Sequence, residues 1–548
     1  MKKLKKIISL VLAAVMVLAF GITASAAVVD VENEKEHDYQ AYQIFVGTVD
    51  SDNKMVITGW GSGVNGNDIL TALQGIKDQT DPLYGKFSTC TNDLSVAKVV
   101  SEFDTDSPEA RAFAKVVSEH LSNTKTPISG TDTTVDLDPG YYLLKDVSEQ
   151  QEDEEGYVTG LSILQVTNVG KITLDPKNEA PRVLKKVKED SSTVNDGFGQ
   201  GYNDIADYDI GQEIPFKLIG TLPTQYDTYT SYKYVFHDTW SEGLSFNEEG
   251  TVAVYAYLDG NITNNVDTNK INVTENFTRT HDNSERSLTV SCNNLKTIPD
   301  LTLTSKSKIV VEYTALLNEN AVIGLNGNTN EVYLEYSNNP NVDGSGDTGK
   351  TPPDKVIVFT YELDIEKVDL VGGRTLLKDA EFQLKNSDDK WVVVNEDNKV
   401  TGWADEQAAG STLKTDSSGF CAVIGLDDGQ YTLVETKAPT DYKLPENPQT
   451  TLTIDATTGF TQNWNFGEKN AASTALTKLL VTVGSSTKDE NLNNGSVSVE
   501  IPNSKFSTLP ETGGIGTTIF YVVGGILVIG AGILLITKKR MNTKENSK

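Results

Sequence analysis

The chain has 548 residues and a formal net charge of -30, from 77 acidic against 47 basic side chains. That balance excludes the broad basic surface a nucleic-acid binder needs, and the length is too great for a single hydrophobic core. Cys90, Cys292 and Cys421 lie too far apart in sequence to read as a disulfide framework, and His37, His120, His237 and His281 lack metal-ligand spacing. With no nucleophile-base-acid or phosphate-loop motif either, the sequence predicts no cofactor, no metal and no enzyme acting on an external substrate.

Met1 to Ala26 has the layout of a secretory signal peptide: Lys2, Lys3, Lys5 and Lys6, an apolar run from Ile7 to Phe20, then Ala24-Ser25-Ala26. The mature chain is expected to start near Val28 and to divide into domains at 28–180, 181–361 and 362–506. The first opens on an alternating strand, Tyr39 to Phe45, that contains no lysine. Ala110, Phe113, Ala114, Val117 and Leu121 recur at helical spacing after Ser107-Pro108, predicting one helix over Ser107 to Ser122. In Gly140 to Asp146, strand parity puts Tyr142, Leu144 and Asp146 on one face. A proline-flanked linker, Asp175-Pro176-Lys177-Asn178-Glu179-Ala180-Pro181, closes this domain.

In the second domain Val183, Lys185 and Val187 share a face, which selects Lys185 over Lys186 as the inward lysine. Phe236 and Asp238 likewise share one. Alternation continues through Val252 to Tyr257, Leu288-Val290, Leu301-Leu303, Ile309 to Tyr313 and Val332-Leu334-Tyr336, with turn signals at Asp259-Gly260 and Asn326-Gly327. Asn330 precedes the last of these at even spacing, and Asn328 and Asn338 lie on the same parity. A Gly, Pro, Asn and Asp-rich loop, Asn338 to Asp354, is followed by a strand, Val356 to Phe359, leading into the third domain.

There, three polar groups align with apolar partners: Lys367 with Leu363 and Ile365, Glu435 with Tyr431 and Leu433, and Asn503 with Val499 and Ile501. A register slip that turned them to solvent would expose the apolar partners too, so all three are expected in one interior. Burial there lowers a lysine pKa and raises that of a glutamate. After a polar stretch comes Leu509-Pro510-Glu511-Thr512-Gly513, then an apolar span from Ile515 to Ile536, about 33 Å as a helix, then Lys538-Lys539-Arg540.

These residues carry several resemblances. The pentapeptide, span and basic tail (509–548) resemble the LPxTG signal that sortases read in Gram-positive surface proteins, which implies cleavage between Thr512 and Gly513. Tyr431 to Pro439 resembles the E-box of Cna B-type domains, and Asp238-Thr239 with Glu242-Gly243-Leu244 resembles a segment of Cna A-type pilin domains. The family implies self-formed isopeptide bonds: Lys367 to Asn503 promoted by Glu435, and Lys185 to an asparagine, Asn330 preferred, promoted by Asp238. The first domain, lacking the lysine, is expected to form none. Leu174-Asp175-Pro176-Lys177-Asn178 resembles the pilin motif, with Asp175 where a tyrosine is usual, and implies that Lys177 accepts the Thr512 carboxyl of another subunit. Segments Asp38 to Val46 and Gly59 to Val64 are similar to the start of streptococcal-type backbone pilins.

The expected fold is thus all-β: three tandem immunoglobulin-like, Cna-type β-sandwich domains in an elongated rod, plus the signal peptide and a C-terminal transmembrane helix. The resemblance implies a major pilin of a wall-anchored surface pilus. Its expected partners are further copies of itself, sortase, peptidoglycan, minor pilins and host or surface ligands, with the membrane a partner only before sorting. A wall-anchored monomeric adhesin and a minor pilin stay open as alternatives.

Overall fold

The computed structural model describes residues 27–32, 37–50, 54–104, 107–147, 160–167, 171–174, 180–263, 268–339, 348–371, 373–459, 462, 472–490, 492–505 and 516–545. The signal peptide, Lys177 and the pentapeptide Leu509 to Gly513 lie outside them. Strands dominate, in several sheets.

The first domain is built on Tyr39–Val49, paired with Met55–Trp60 on one edge and Gly140–Asp146 on the other, with Leu161–Val166 beyond. Alternation along Gly140–Asp146 feeds two cores. Tyr141 and Leu143 face one that helices cover, while Tyr142 and Leu144 face one shared with the strand Ala27–Glu32. The sequence predicted one helix; among the described residues there are three of eight residues or more here, Gly66–Gln74, Asp93–Val100 and Pro108–Ser118. The third is the expected one, capped by the Ser107 hydroxyl accepting from the Ala110 N–H and burying Phe113, Ala114 and Val117. The other two are short, nine and eight residues; the first buries Ile69 and Leu73 at helical spacing as clear as that of the third, so its signal was in the sequence and was missed, while that of the second is weaker.

The second domain is two facing seven-stranded sheets. In one, Glu213–Thr221 lies between Val183–Lys188 and Lys308–Leu317; in the other, Asn328–Ser337 lies between Tyr234–Trp240 and Asp354–Phe359. Leu301-Leu303, expected as strand, is irregular; it follows Asp300, whose φ of +57° is left-handed and takes the chain out of extended conformation. In the third domain Tyr361–Asp369 is the middle strand of three, antiparallel to Phe420–Leu426 and parallel to Ser496–Asn503. An eight-stranded sheet containing Gly429–Lys437 faces it.

Only Thr360 separates Asp354–Phe359 from Tyr361–Asp369, and one continuous buried cluster runs through both domains. The Ile210 N–H donates to the Gly425 carbonyl at 2.9 Å, and the Asp427 N–H and Trp403 Nε1 each donate to the Asp209 carboxylate at 2.8 Å. Gly425 has φ +94°, and a Cβ there would stand 2.4 Å from Ile210, so the close approach requires glycine. The two domains are packed together at this joint, whereas the sequence reads as beads on a short string.

The last element, Gly516–Glu545, contains a 20-residue stretch, Ile519–Lys538, of mean hydropathy 2.7 with none of it buried in the protein. It is long and apolar enough to cross a bilayer.

Candidate functional site

In the third domain the parallel pairing of Tyr361–Asp369 with Ser496–Asn503 sets Lys367 opposite Ile501 and Asp369 opposite Asn503. Asn503 therefore lies one side-chain step along the same face from the position facing Lys367, and Glu435 reaches in from the opposing sheet. Lys367 Nζ donates to Asn503 Oδ1 at 2.7 Å and to Glu435 Oε2 at 2.8 Å, while Asn503 Nδ2 donates to Glu435 Oε1 at 2.6 Å. Lys367 is 0% exposed and its two partners 2% each. Burial holds the Lys367 amine down at about 8 against the pull of Glu435, and burial raises Glu435 despite Lys367 and Asn503. One carboxyl thus touches both an amine of nucleophilic character and the nitrogen of a carboxamide.

The second domain assembles a related cluster across its two sheets. Lys185, wholly buried, donates to Asp238 Oδ1 at 2.5 Å; its neighbour Lys186 points to the other face, where it is paired with Asp204. Asp238 and Asn330 lie on adjacent antiparallel strands, Trp240 pairing with Asn330 and Asp238 with Val332. Between them stands Tyr313, which the sequence offered only as the last residue of the alternating strand Ile309 to Tyr313. Tyr313 Oη donates to Asp238 Oδ2 at 2.5 Å, accepts from Asn330 Nδ2 at 2.7 Å, and lies 3.2 Å from Lys185 Nζ. Burial lowers Lys185 and raises Asp238, in each case against the attraction of the other. Phe216 and Tyr313 carry their rings over the Lys185 amine, 5.3 and 5.4 Å to the centroids.

The structure also separates the three asparagines of like parity. Asn328 is tied to backbone, accepting from the Val322 N–H and donating to the Val322 and Val358 carbonyls. Asn338 lies beyond the far end of the strand Asn328–Ser337, about 27 Å along it from Asn330. Asn330 alone of the three is in the Lys185 cluster, and its Oδ1 is buried with no hydrogen-bond partner.

In the first domain Asp146 is buried, and its partner is His37, with Nδ1 2.7 Å from Oδ2. Tyr39 pairs with Asp146 across the sheet, and His37, two residues earlier, points to the same face. The signal for this partner was only the shared parity of His37 and Tyr39. The three cysteines are free.

Comparison with known proteins matches residues 361–469 to the SpaA prealbumin-like fold domain and residues 501–543 to the LPXTG cell wall anchor motif. The chain carries a SpaA-type domain and an LPXTG wall anchor. The anchor makes it a cell-wall-attached surface protein of a Gram-positive bacterium. It is homologous to the trypsin-resistant surface T6 protein of Streptococcus pyogenes serotype M6, 26% identical over 416 residues, covering 66% of this chain and 70% of that one. Similar solved structures include the T6 backbone pilin of serotype M6 Streptococcus pyogenes (17% identity, 88% of this chain and 99% of that one, TM-score 0.48). Others are the major pilin SpaD of Corynebacterium diphtheriae (15%, 88% and 98%, TM-score 0.45) and the group B streptococcus pilus 2b backbone protein (23%, 56% and 97%, TM-score 0.40). The SpaA match holds Lys367 and Glu435 but ends before Asn503, which falls in the anchor match.

Proposed function

We propose that the chain is the repeating subunit of a covalent surface pilus. Sortase would cut between Thr512 and Gly513 and pass the Thr512 carboxyl to Lys177 of a neighbouring subunit, or to peptidoglycan at the base. The observation that carries the reading is the buried Lys367, Glu435 and Asn503 cluster in a wall-anchored chain, since such a cluster can weld the first strand of a domain to its last.

The chemistry follows from the contacts. The neutral Lys367 amine attacks the Asn503 carboxamide carbon; protonated Glu435 hydrogen-bonds the carboxamide and relays a proton from the amine to the departing nitrogen. An amide bond forms, and the carbon–nitrogen bond of the carboxamide breaks to release ammonia. Lys185 would react with Asn330 in the same way, Asp238 and Tyr313 carrying the proton. Each reaction occurs once per molecule, so the proposed chemistry is self-processing without turnover.

The topology suits a load-bearing fibre. Pulling on the third domain enters at Tyr361–Asp369 and leaves at Ser496–Asn503, which are adjacent and parallel. A bond between them carries the load past the rest of the domain. In the second domain the link would cross from one sheet to the other and stop them sliding apart.

The test is Lys177→Ala in the native host. The expected result is loss of the high-molecular-weight ladder from cell-wall extracts, with a Thr512-to-Lys177 cross-linked peptide recovered from the wild type only. An intact ladder in the variant overturns the backbone assignment and leaves a wall-anchored monomer or minor subunit.

A further inference from the structure

The third domain is covered at one end and bare at the other. Its joint end packs on the second domain through Gly425, Trp403 and Asp427. Its far end carries every large apolar side chain of the domain that is exposed among the described residues: Leu370, Val371, Leu376, Phe420 and Leu444. The first three lie between Tyr361–Asp369 and Glu381–Lys385, Phe420 starts its strand, and Leu444 follows Gly429–Lys437. Backbone contacts gather them round the place where the chain leaves the domain. The Leu370 N–H donates to the Asn503 carbonyl at 2.9 Å, and the Lys443 N–H, beside Leu444, donates to the Ser504 carbonyl at 3.1 Å. Leu376 bridges to Val368, and its Cβ stands 2.7 Å from where a Cβ on Gly419, next to Phe420, would be. Val371 is 82% exposed.

Single apolar side chains scattered over a surface need no partner, but five at one end of a domain mark a contact face. The covalent chain limits what can lie against it. Gly516, where the apolar helix begins, is eleven residues beyond Lys505, so at most about 40 Å of chain separates this face from the membrane-spanning segment. The joint end is a strand length farther away, about 30 Å. The rim of the face also suits lipid headgroups. Lys378, Lys414, Lys437 and Lys505 have side chains 55 to 69% exposed, each more so than the Asp379, Glu381 or Asp369 carboxylate it pairs with, so the ammonium groups stand outermost.

We propose that this end of the third domain seats on the lipid surface of the bilayer while the apolar helix is still inserted. Leu370 and Val371 enter the boundary between headgroups and acyl chains, Leu376, Phe420 and Leu444 lie against it, and the lysine rim meets the phosphates. The contact holds the tether that carries Leu509 to Gly513 close to the bilayer. The inference rests on the wall-anchor match and the apolar helix, and is independent of the Lys177 polymerisation reading.

The full-length chain is placed at one chain per disc in nanodiscs of phosphatidylcholine and phosphatidylglycerol, with an environment-sensitive fluorophore on Val371→Cys. The native thiols compete little, because Cys90 and Cys292 are buried and burial pushes the Cys421 thiol up to about 12. The expected result is a blue-shifted emission, quenched by lipids brominated at the depth of about 5 to 10 Å that an interfacial side chain reaches. The same label on Asp397→Cys, an exposed turn beside the Lys399 that reaches Glu319 of the second domain, should emit as in water. A label on Leu444→Cys should be quenched as well, and should lose that quenching when Val371→Glu is added. Water-like emission from Val371→Cys overturns the proposal, as does undiminished quenching at Leu444→Cys in the presence of Val371→Glu. Shielding that appears only with two chains per disc also overturns it, and gives the face to a second copy of the chain.

Discussion

Replacing Glu435 by glutamine tests the isopeptide reading most directly, because it keeps the size and shape of the side chain and removes the titratable proton together with one acceptor oxygen. Glutamine has one acceptor oxygen where the carboxyl has two, so it can accept from Lys367 or from Asn503 and loses the other hydrogen bond, about 1 to 3 kcal/mol at a buried site and less than the bond itself. The proposed bond closes a loop between residues 136 apart. For a loop of that length the chain-entropy expression gives about 17 cal/mol/K, or ~5 kcal/mol at 25 °C. In a domain of this size 1 kcal/mol moves the melting temperature by about 3 to 4 °C, so the third domain of Glu435→Gln should melt roughly 15 to 20 °C lower. Scanning calorimetry reads that shift. Mass spectrometry reads its cause: each link makes the chain lighter by about 17 Da, the ammonia lost, and the Lys367-to-Asn503 peptide should vanish from the variant. A variant that keeps the linked peptide, or a wild type with no mass deficit, refutes the mechanism; a lost link with an unchanged melt refutes the entropic account of its value.

The pH dependence of linking has a definite shape. The reactive state, neutral Lys367 with protonated Glu435, holds as many protons as the ion pair, so in unlinked chain refolded from inclusion bodies the rate of mass loss should be bell-shaped, falling above about pH 8, where the pair loses that proton, and again in acid, where both groups are protonated. In Asn503→Ala, which cannot link, the depressed folded value means stability is fullest above the ordinary 10.5 and is lost as pH falls through about 8; a melt that is flat across that window argues against a buried amine. Tyr313→Phe removes the group between Asp238 and Asn330 and should slow formation of the Lys185-to-Asn330 peptide while leaving the Lys367-to-Asn503 peptide at its wild-type yield; equal rates would remove Tyr313 from the chemistry. His37→Ala leaves the buried Asp146 carboxyl without its imidazole and should destabilise the first domain by about 1 to 3 kcal/mol in denaturant titration; no loss would mean the pair contributes nothing.

How far the sequence carries can be judged residue by residue. Side chains alternate along a strand, so parity points Lys367, Glu435, Asn503, Lys185 and Asp238 inward before any pairing is known, and the structure has each of them buried. The same rule separates Lys185 from Lys186. The apolar span and basic tail read out equally well, because length and hydropathy are local properties. Parity fails where several candidates share it. Asn328, Asn330 and Asn338 are equivalent by spacing, and the choice rests on cross-strand register, which sets Asn330 beside Trp240 and lets Tyr313 reach its amide from another sheet. His37 against Asp146, and Asp209 against Trp403 and Asp427, likewise depend on segments meeting that are remote in the chain. What the sequence by itself determined is which face each strand buries, a consequence of covalent geometry two residues at a time. Which buried groups touch, and how the second domain seats on the third, was decided only by the tertiary structure, since non-local pairing depends on the packing of every strand in the two sheets at once.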